Sequence, residues 1–291
     1  MLLQIIDITA PVFILGFVGF IWAKSGVAYE IGFVSRLVLN ISLPCLILST
    51  LISAEIAPDA LAEIALAAAL GYLVAGVLLW AALMIFRLSP RVWWTASVFG
   101  NTGNIGLPLC FFAFGETGLA LAMVLFAIAV FLQFTIGVWA MSGGGQWKAV
   151  FSQPMVHAAW LGCLAAIVGW EPPELVGRTL NLAGQITIPL MLITLGVSIA
   201  RLEVRETGRA ALVTMLRVLI LGLSAVAVAW ALDLGKIATG VLVLQFLTPG
   251  AVTIYMMSIR YNGSPGAVAS LVLISTLLTF AVVPGVLPFL L

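Results

Sequence analysis

Long apolar runs separated by short polar joins make up most of this 291-residue chain. Charged and turn-forming residues interrupt the apolar sequence repeatedly. Each run between them approaches the roughly 20 mostly apolar residues that a membrane-spanning helix needs. The pattern predicts an all-α polytopic membrane protein. Its ten expected spans, numbered one to ten in chain order, cover residues 8–23, 37–54, 64–86, 92–115, 117–141, 149–170, 179–200, 210–232, 237–259 and 265–291.

The composition supports this prediction. Hydrophobic residues make up 63% of the chain and charged residues 8%, and the mean hydropathy is +1.25. Globular proteins carry roughly 25% charged residues. The net charge of +1 offers no basic surface for nucleic acid, so membrane lipid is the expected environment. Cys45, Cys110 and Cys163 lie in apolar stretches and are interpreted as small core residues, so no metal site is expected.

The basic residues predict the orientation. If the joins alternate between the two sides, ten Lys and Arg residues fall on one side and only Arg178 and Lys236 on the other. Short loops rich in Lys and Arg lie in the cytoplasm. The prediction is a multi-pass protein of the inner cell membrane with both termini outside. The ten residues of the cytoplasmic side are Lys24, Arg36, Arg87, Arg91, Lys148, Arg201, Arg205, Arg209, Arg217 and Arg260.

Arg217 lies about two turns inside span eight. We interpret it as a side chain whose aliphatic stem follows the helix while its guanidinium reaches the cytoplasmic interface. A role in gating is the alternative interpretation of this residue.

The chain is predicted to contain an inverted repeat. Residues 1–141 and 149–291 each hold five spans, and residues 142–148 form a Gly-rich cytoplasmic linker between them. An odd number of spans per half requires the halves to insert with opposite topology. Ile41–Leu51 resembles Ile186–Leu195. Prolines also match between the halves: Pro11 with Pro154, Pro44 with Pro189, and Pro108 with Pro249. Chance is the alternative explanation for these matches.

Spans four and nine contain residues that break helices. Residues 99–109 hold three glycines, two asparagines and a proline, and residues 245–253 contain the sequence Thr248-Pro249-Gly250. Gly and Pro weaken a helix, and Asn competes for its backbone hydrogen bonds. Unwound backbone at membrane depth occurs only where protein or a wet cavity surrounds it. Two interrupted spans at matching positions of inverted halves therefore predict a transporter binding site.

The chemistry of the breaks favours an anion. The second half of each broken helix begins with free N–H groups and a positive dipole end. Pro108 and Pro249 are expected as early residues of these second halves. Gln245 and freed carbonyls offer an alternative oxygen site for Na⁺. The predicted substrate-binding residues are Asn101, Asn104, Thr248, Pro108, Pro249, Gly250, Ser42 and Thr187.

Several of these residues have a structural alternative. Asn104 and Thr248 are equally well explained as packing residues, because single polar side chains often join membrane helices. Ser42 and Thr187 stand two residues before Pro44 and Pro189, and either face the site or satisfy the kinks.

The sequence resembles the auxin efflux carrier family of plants and its bacterial relatives. The resemblance rests on the ten spans, the segment from Asn101 to Leu109, the region Ile41–Pro44, and Pro249 to Asn262. It implies a sodium/proton-antiporter-like or bile-acid-symporter-like fold with crossed broken helices. It also implies a scaffold of spans 1, 2, 6 and 7, a transport unit of spans 3–5 and 8–10, an elevator mechanism and a homodimer. By resemblance, Asn101 contacts a substrate carboxylate, and bacterial relatives suggest malate or malonate.

The predicted function is therefore secondary transport of small organic anions. No Asp or Glu lies deep in a span, and no buried Lys or Arg is expected to neutralise a carboxylate. Anion binding then rests on helix dipoles and neutral donors, while coupling to Na⁺ or to protons stays open. His157 is either a pH-sensitive group or an ordinary helix-end residue.

A sodium-coupled symporter of an organic solute and an anion channel are the alternative functions. An enzyme is disfavoured because the spans lack a nucleophile with its base and a carboxylate pair.

Overall fold

The computed structural model describes residues 2–53, 57–142, 154–261 and 264–291, and within these ranges the chain is helical with no β-strand. Residues 143–148 of the predicted linker and Asn262 lie outside the described residues. The helices are α1 (Leu2–Lys24), α2 (Ile31–Leu37), α3 (Leu43–Ser53), α4 (Pro58–Ile85), α5 (Pro90–Val98), α6 (Leu107–Leu132), α7 (Val138–Ser142), α8 (Pro154–Val168), α9 (Glu174–Gln185), α10 (Thr187–Ala200), α11 (Thr207–Ala231), α12 (Lys236–Phe246), α13 (Val252–Arg260) and α14 (Pro265–Leu290).

The protein is a multi-pass membrane protein. Within the described residues, seven helical segments are long and apolar enough to cross a membrane. Two further apolar helices, α8 and α12, are shorter. The seven segments are Ile5–Lys24, Ile31–Ser53, Asp59–Ile85, Thr102–Met141, Glu174–Ala200, Thr207–Ala231 and Pro265–Leu290.

The longest of these segments changes direction at one glycine. Thr102–Met141 runs for 40 residues, but Gly115 within it has φ 65° and ψ −154°, which is not helical. Only glycine adopts such a conformation without strain. Gly115 and Glu116 are exposed, and the sequence predicts the join between spans four and five at this point.

Two π-helical turns lie directly upstream of prolines in the following helices. Val38–Ser42 precedes Leu43-Pro44, and Thr102–Gly106 precedes Leu107-Pro108. A proline within a helix lacks an N–H donor and its ring collides with the carbonyl four residues earlier. A wider turn directly upstream relieves this collision. The prediction of a break over residues 99–109 is therefore too wide, since the chain is helical again from Thr102.

The helices pack as two groups. In the first group, α1 packs against α10, and α3 packs against α8 and α9. The α1–α10 contact is close, because a Cβ added to Gly19 or Gly196 would collide with the backbone of the facing helix. In the second group, α11 packs against α4, α12 and α14, and α6 packs against α4 and α12.

The two groups meet along α1, α6, α10 and α14. The rings of Phe13 in α1 and Phe280 in α14 lie edge to face with centroids 4.2 Å apart. In the Thr102–Gly106 turn, a Cβ on Gly103 would lie 3.1 Å from Cε of Met191 in α10. The first group therefore lies directly against the turn that follows the break in span four.

Candidate functional site

The two predicted breaks contact each other, as the family resemblance implies. The helix of span four stops at Val98 and that of span nine at Phe246. Gly100 and Gly250 then form an isolated antiparallel β-bridge, and the Asn101 N–H donates a hydrogen bond to the Pro249 carbonyl at 2.7 Å. We call residues 99–101 and 247–251 the crossing. The predicted break in each span is confirmed.

Hydroxyl groups of α14 satisfy the backbone of the span-nine break. The Gly250 N–H donates to Oγ of Ser275 at 2.9 Å, and Oγ1 of Thr279 donates to the Leu247 carbonyl at 3.3 Å. Both hydroxyls are buried. Sequence analysis missed these residues, although two hydroxyls four residues apart in an apolar span are a signal for such a role.

The NH₂ group of Asn101 has no hydrogen-bond partner among the described residues. Asn101 precedes the turn Thr102–Gly106, and its Oδ1 accepts a hydrogen bond from the Asn104 N–H at 3.3 Å. Its Nδ2 is buried. The side chain is 6% exposed. The acceptor of this amide is therefore used by the protein, while the NH₂ group remains available.

The other predicted residues of the crossing differ in exposure. Asn104 is half-buried, whereas Thr248 and Gln245 are fully buried. Oγ1 of Thr248 donates to the Gln245 carbonyl at 2.6 Å. The Gln245 amide packs against Gly106, and neither of its polar atoms has a partner in the described part of the chain.

The two prolines occupy different positions, so matching Pro108 to Pro249 is wrong. Pro108 is the second residue of α6 and is helical. Pro249 lies inside the break, three residues before α13, where its carbonyl accepts the hydrogen bond from Asn101. Its expected place as an early residue of the second half-helix is also wrong. The β-bridge pairs Gly100 with Gly250 instead.

Ser42 and Thr187 are hydrogen-bonded to each other. Their hydroxyl groups form a buried hydrogen bond between the Val38–Ser42 turn and the first residue of α10. This bond joins the two proline kinks within the first helix group. Contact of either residue with a substrate stays a prediction. His157 is exposed on α8, also in this group.

Arg217 lies beside the crossing, and the prediction that it reaches the cytoplasmic interface is wrong. The residue is fully buried on α11. A Cβ added to Gly100 would lie 2.8 Å from Nη2 of Arg217 and 3.1 Å from the Thr248 carbonyl. None of the three guanidinium nitrogens has a hydrogen-bond partner among the described residues. The expectation that no buried Arg is available is therefore also wrong.

The error has a clear physical cause. Thr214, Arg217, Leu221 and Ser224 are all buried, and their spacing of three and four residues places them on one face of α11. This face points into the second helix group, against α5 and α12. Hydropathy along the chain gives the depth of Arg217 in the span but not the neighbours that cover it.

Aromatic rings enclose the same region. The Tyr72 ring stacks on Phe246 at 4.7 Å between centroids and lies 5.6 Å from Phe99. Its hydroxyl is buried without a partner in the described ranges and lies within electrostatic reach of Arg217. Tyr72 and Phe99 also line a largely apolar cavity of about 580 Å³.

A second cavity of about 590 Å³ lies between the two helix groups. Ser49, Gln185 and Pro189 line it from the first group, and Phe111 and Glu116 line it from α6. None of the predicted site residues lines this cavity or the apolar one. Phe99 is the one residue of the crossing that lines the apolar cavity, and no residue of the crossing lines the cavity between the helix groups.

Titratable groups are scarce at the crossing. All described acidic residues are exposed. The described residues contain no cluster of His, Cys, Asp or Glu that could hold a metal ion. Cys110 is buried, Cys45 and Cys163 are partly buried, and none of the three forms a disulfide bond. Arg217 is therefore buried without any carboxylate from the described part of the chain beside it.

Comparison with known proteins identifies the family of the chain. A relative from Rhizobium meliloti named "Putative malonate transporter" is 25% identical over 66% of this chain, and the match spans 64% of its own length. An uncharacterized transporter from Methanothermobacter thermautotrophicus is 27% identical over 94% of both chains. The family described as "Membrane transport protein" matches residues 139–287, just over half of the chain. The chain therefore belongs to this family of membrane transporters, which is the auxin efflux carrier family that its sequence resembles.

Proposed function

We propose that the protein carries small carboxylates across the cytoplasmic membrane and binds them at the crossing. The observation that carries this proposal is the unpaired Nδ2 of Asn101. Its amide oxygen already caps the following turn, so the amide has only N–H groups to offer a ligand. A ligand that fits a buried donor must present an acceptor, and a carboxylate presents two strong acceptor oxygens.

The ends of the half-helices support an anion at this point. The segment that begins at Thr102 and helix α13 both start at the crossing. No side chain caps α13. Free N–H groups and a positive dipole end favour a negative ligand there. The relative named "Putative malonate transporter" makes malonate the first substrate to test.

The proposed architecture has ten spans in two inverted repeats. Spans two, four, seven and nine each combine two helical pieces, and span five follows Gly115. The packing supports the symmetry, because α1 against α10 pairs spans one and seven, while α3 against α8 pairs spans two and six. The contacts between Ser42 and Thr187 and between Gly100 and Gly250 join matching positions of the two halves.

We infer an elevator movement of the second helix group against the first. The second group contains the whole crossing, so it is the proposed transport unit, and the first group is the proposed scaffold. The cavity that contains Pro189 and Phe111 lies between the groups and is the proposed access route. The remaining proposals are a homodimer, termini outside, and location in the inner membrane.

Two substitutions of Asn101 test the site. Asn101→Asp keeps the size and the oxygen that caps the turn, but it replaces the donor with a negatively charged acceptor. Asn101→Ala removes both groups. If the NH₂ group binds substrate, both variants lose malonate-induced current on solid-supported membranes while the purified proteins stay folded.

A purely structural Asn101 gives a different result. Asp is as good a helix-capping residue as Asn. A capping role alone therefore predicts near-normal current for Asn101→Asp and a loss only for Asn101→Ala. Silence of the wild-type protein towards malonate, malate and aromatic acids contradicts the proposed substrate class itself.

A further inference from the structure

Arg217 is a buried cation without a protein counter-charge in the described part of the chain. It is fully buried, its three guanidinium nitrogens have no hydrogen-bond partner there, and all described acidic residues are exposed. Removing one partner from a buried charge pair is strongly destabilising, because an unpaired charge stays in a medium of low dielectric constant. A charge inside a membrane protein marks a functional site by default, and its partner is the next question.

We propose that Arg217 is the fixed positive charge that balances the substrate anion at the crossing and sets the selectivity for charged ligands. The proposal rests on the proposed carboxylate transport. It adds a residue that the predicted substrate-binding site does not contain.

The position of Arg217 fits this role. Nη2 lies against Gly100, next to Asn101, whose NH₂ group is the proposed ligand for the carboxylate. Gly100 belongs to the crossing and has no side chain, so the guanidinium lies directly against the backbone of the crossing. Coulomb attraction between the guanidinium and a carboxylate bound at Asn101 acts across this backbone, and it is weakly screened inside a protein.

Arg217 acts as a positioning residue that stays behind the crossing. Its guanidinium is fully buried, and neither cavity described above is lined by it. The substrate therefore feels its field across the Gly100 backbone while Asn101 makes the direct contact. An arginine suits this task because its guanidinium keeps its charge under all physiological conditions.

The proposal also addresses coupling. The oxygen groups considered for a sodium site belong to Gln245, Asn101 and Thr248. Of these residues, Thr248 lies against Gly100, and so does Arg217. A fixed cation at that place repels Na⁺. We therefore expect malonate binding by the wild-type protein to be independent of Na⁺.

A structural alternative makes a different prediction. Helices α5 and α12 both end at the crossing, and their terminal carbonyls carry partial negative charge. If Arg217 only stabilises these helix ends, its removal weakens the fold and affects all ligands alike. If it balances the substrate, the loss grows with the charge of the ligand.

The experiment compares three ligands of nearly equal shape at pH 7.5. Malonate carries two negative charges, malonamate carries one and malonamide carries none. Binding is measured on the purified full-length protein for wild type, Arg217→Gln and Arg217→Lys. The control Arg209→Gln removes an exposed charge from the same helix, where Arg209 pairs with Glu206 at 3.2 Å.

The expected result is a graded loss. Arg217→Gln weakens malonamate binding about tenfold, as removal of a unit charge roughly 10 Å away predicts, and weakens malonate binding by about the square of that factor. Malonamide binding, if present, does not change. Arg217→Lys keeps the ratio between malonate and malonamate, and Arg209→Gln leaves all affinities at the wild-type level.

Thermal stability gives an independent readout. An unpaired buried cation lowers the stability of the protein when no ligand is bound, so Arg217→Met is expected to unfold at a temperature equal to or above that of wild type.

Equal losses of affinity for malonate and malonamate, or no loss of affinity in Arg217→Gln, overturn the proposal. Failure of both neutral variants to fold overturns it too, because Arg217 is then structural. A wild-type protein that binds neither malonate nor malonamate contradicts the proposed function instead.

Discussion

Polar side chains at the crossing fall into two classes. Ser275 and Thr279 form hydrogen bonds with backbone groups that the break in span nine releases. Asn101, Gln245 and Arg217 keep buried polar atoms without partners among the described residues. Native proteins pair nearly all buried polar groups, so unpaired groups that collect at one place call for an explanation. The first class maintains the shape of the crossing. In the second class, Asn101 is the proposed direct ligand of the substrate and Arg217 the proposed source of positive charge behind it.

Ser275→Ala tests the first class. The substitution leaves the buried Gly250 N–H without its acceptor, which should cost about 1–3 kcal/mol of unfolding free energy. We expect a lower unfolding temperature in detergent and reduced transport, because the span-nine break loses its support.

The matched control is Thr276→Val. Thr276 is the next residue of α14, is also buried, and donates only to the Val272 carbonyl of its own helix at 2.7 Å. Valine keeps its volume. If Ser275→Ala is as stable as Thr276→Val, the hydroxyl of Ser275 does not support the crossing.

At the level of helices, the sequence predicts the interruptions well. Gly, Asn and Pro accumulate in the middle of spans four and nine, where a continuous helix would be expected, and the structure breaks there. The sequence does not predict that residues 102–106 form a π turn, because that turn relieves a steric clash with the ring of Pro108. It also cannot predict the position of Arg217, since a hydropathy pattern does not show which neighbour covers a helix face.

Gly115 interrupts the long segment Thr102–Met141, at the place where the sequence predicts the join between spans four and five. Its φ of 65° with ψ of −154° lies in a region that disfavours any side chain. Gly115→Ala is therefore expected to cost about 1–3 kcal/mol of backbone strain. The unfolding temperature should fall, and it is measured in detergent.

Gly285→Ala serves as the comparison. Gly285 lies within helix α14, and a Cβ there would meet nothing within 4 Å. Alanine has the higher helix propensity, so this variant should be neutral or slightly more stable. Equal stability of the two variants contradicts the role of Gly115 as the required hinge.

On the scale of the whole molecule, the contacts divide the helices into a group with the crossing and a group without it. The sequence suggests this division only through its family resemblance, because packing between distant spans leaves no local pattern. The elevator proposal adds that the groups slide against each other. Phe13 and Phe280 face each other across their boundary at 4.2 Å, which makes the proposal testable.

A cross-link at this boundary should stop transport. In a chain with Cys45, Cys110 and Cys163 replaced by alanine, Phe13→Cys and Phe280→Cys are joined by a short bis-methanethiosulfonate, which forms a reducible disulfide bond with each thiol. The elevator requires relative movement of α1 and α14, so linked protein should bind malonate but not carry it across proteoliposomes. Reduction of the linker should restore uptake.

The control link lies inside the first group. Leu51 in α3 and Gly162 in α8 are close, with a Cβ on Gly162 placed 3.0 Å from Cβ of Leu51, so Leu51→Cys with Gly162→Cys accepts the same reagent. A rigid scaffold tolerates this link, and uptake should continue. Transport that survives the Phe13–Phe280 link would mean that the two groups do not slide, and the substrate would then have to pass through the crossing by local opening alone.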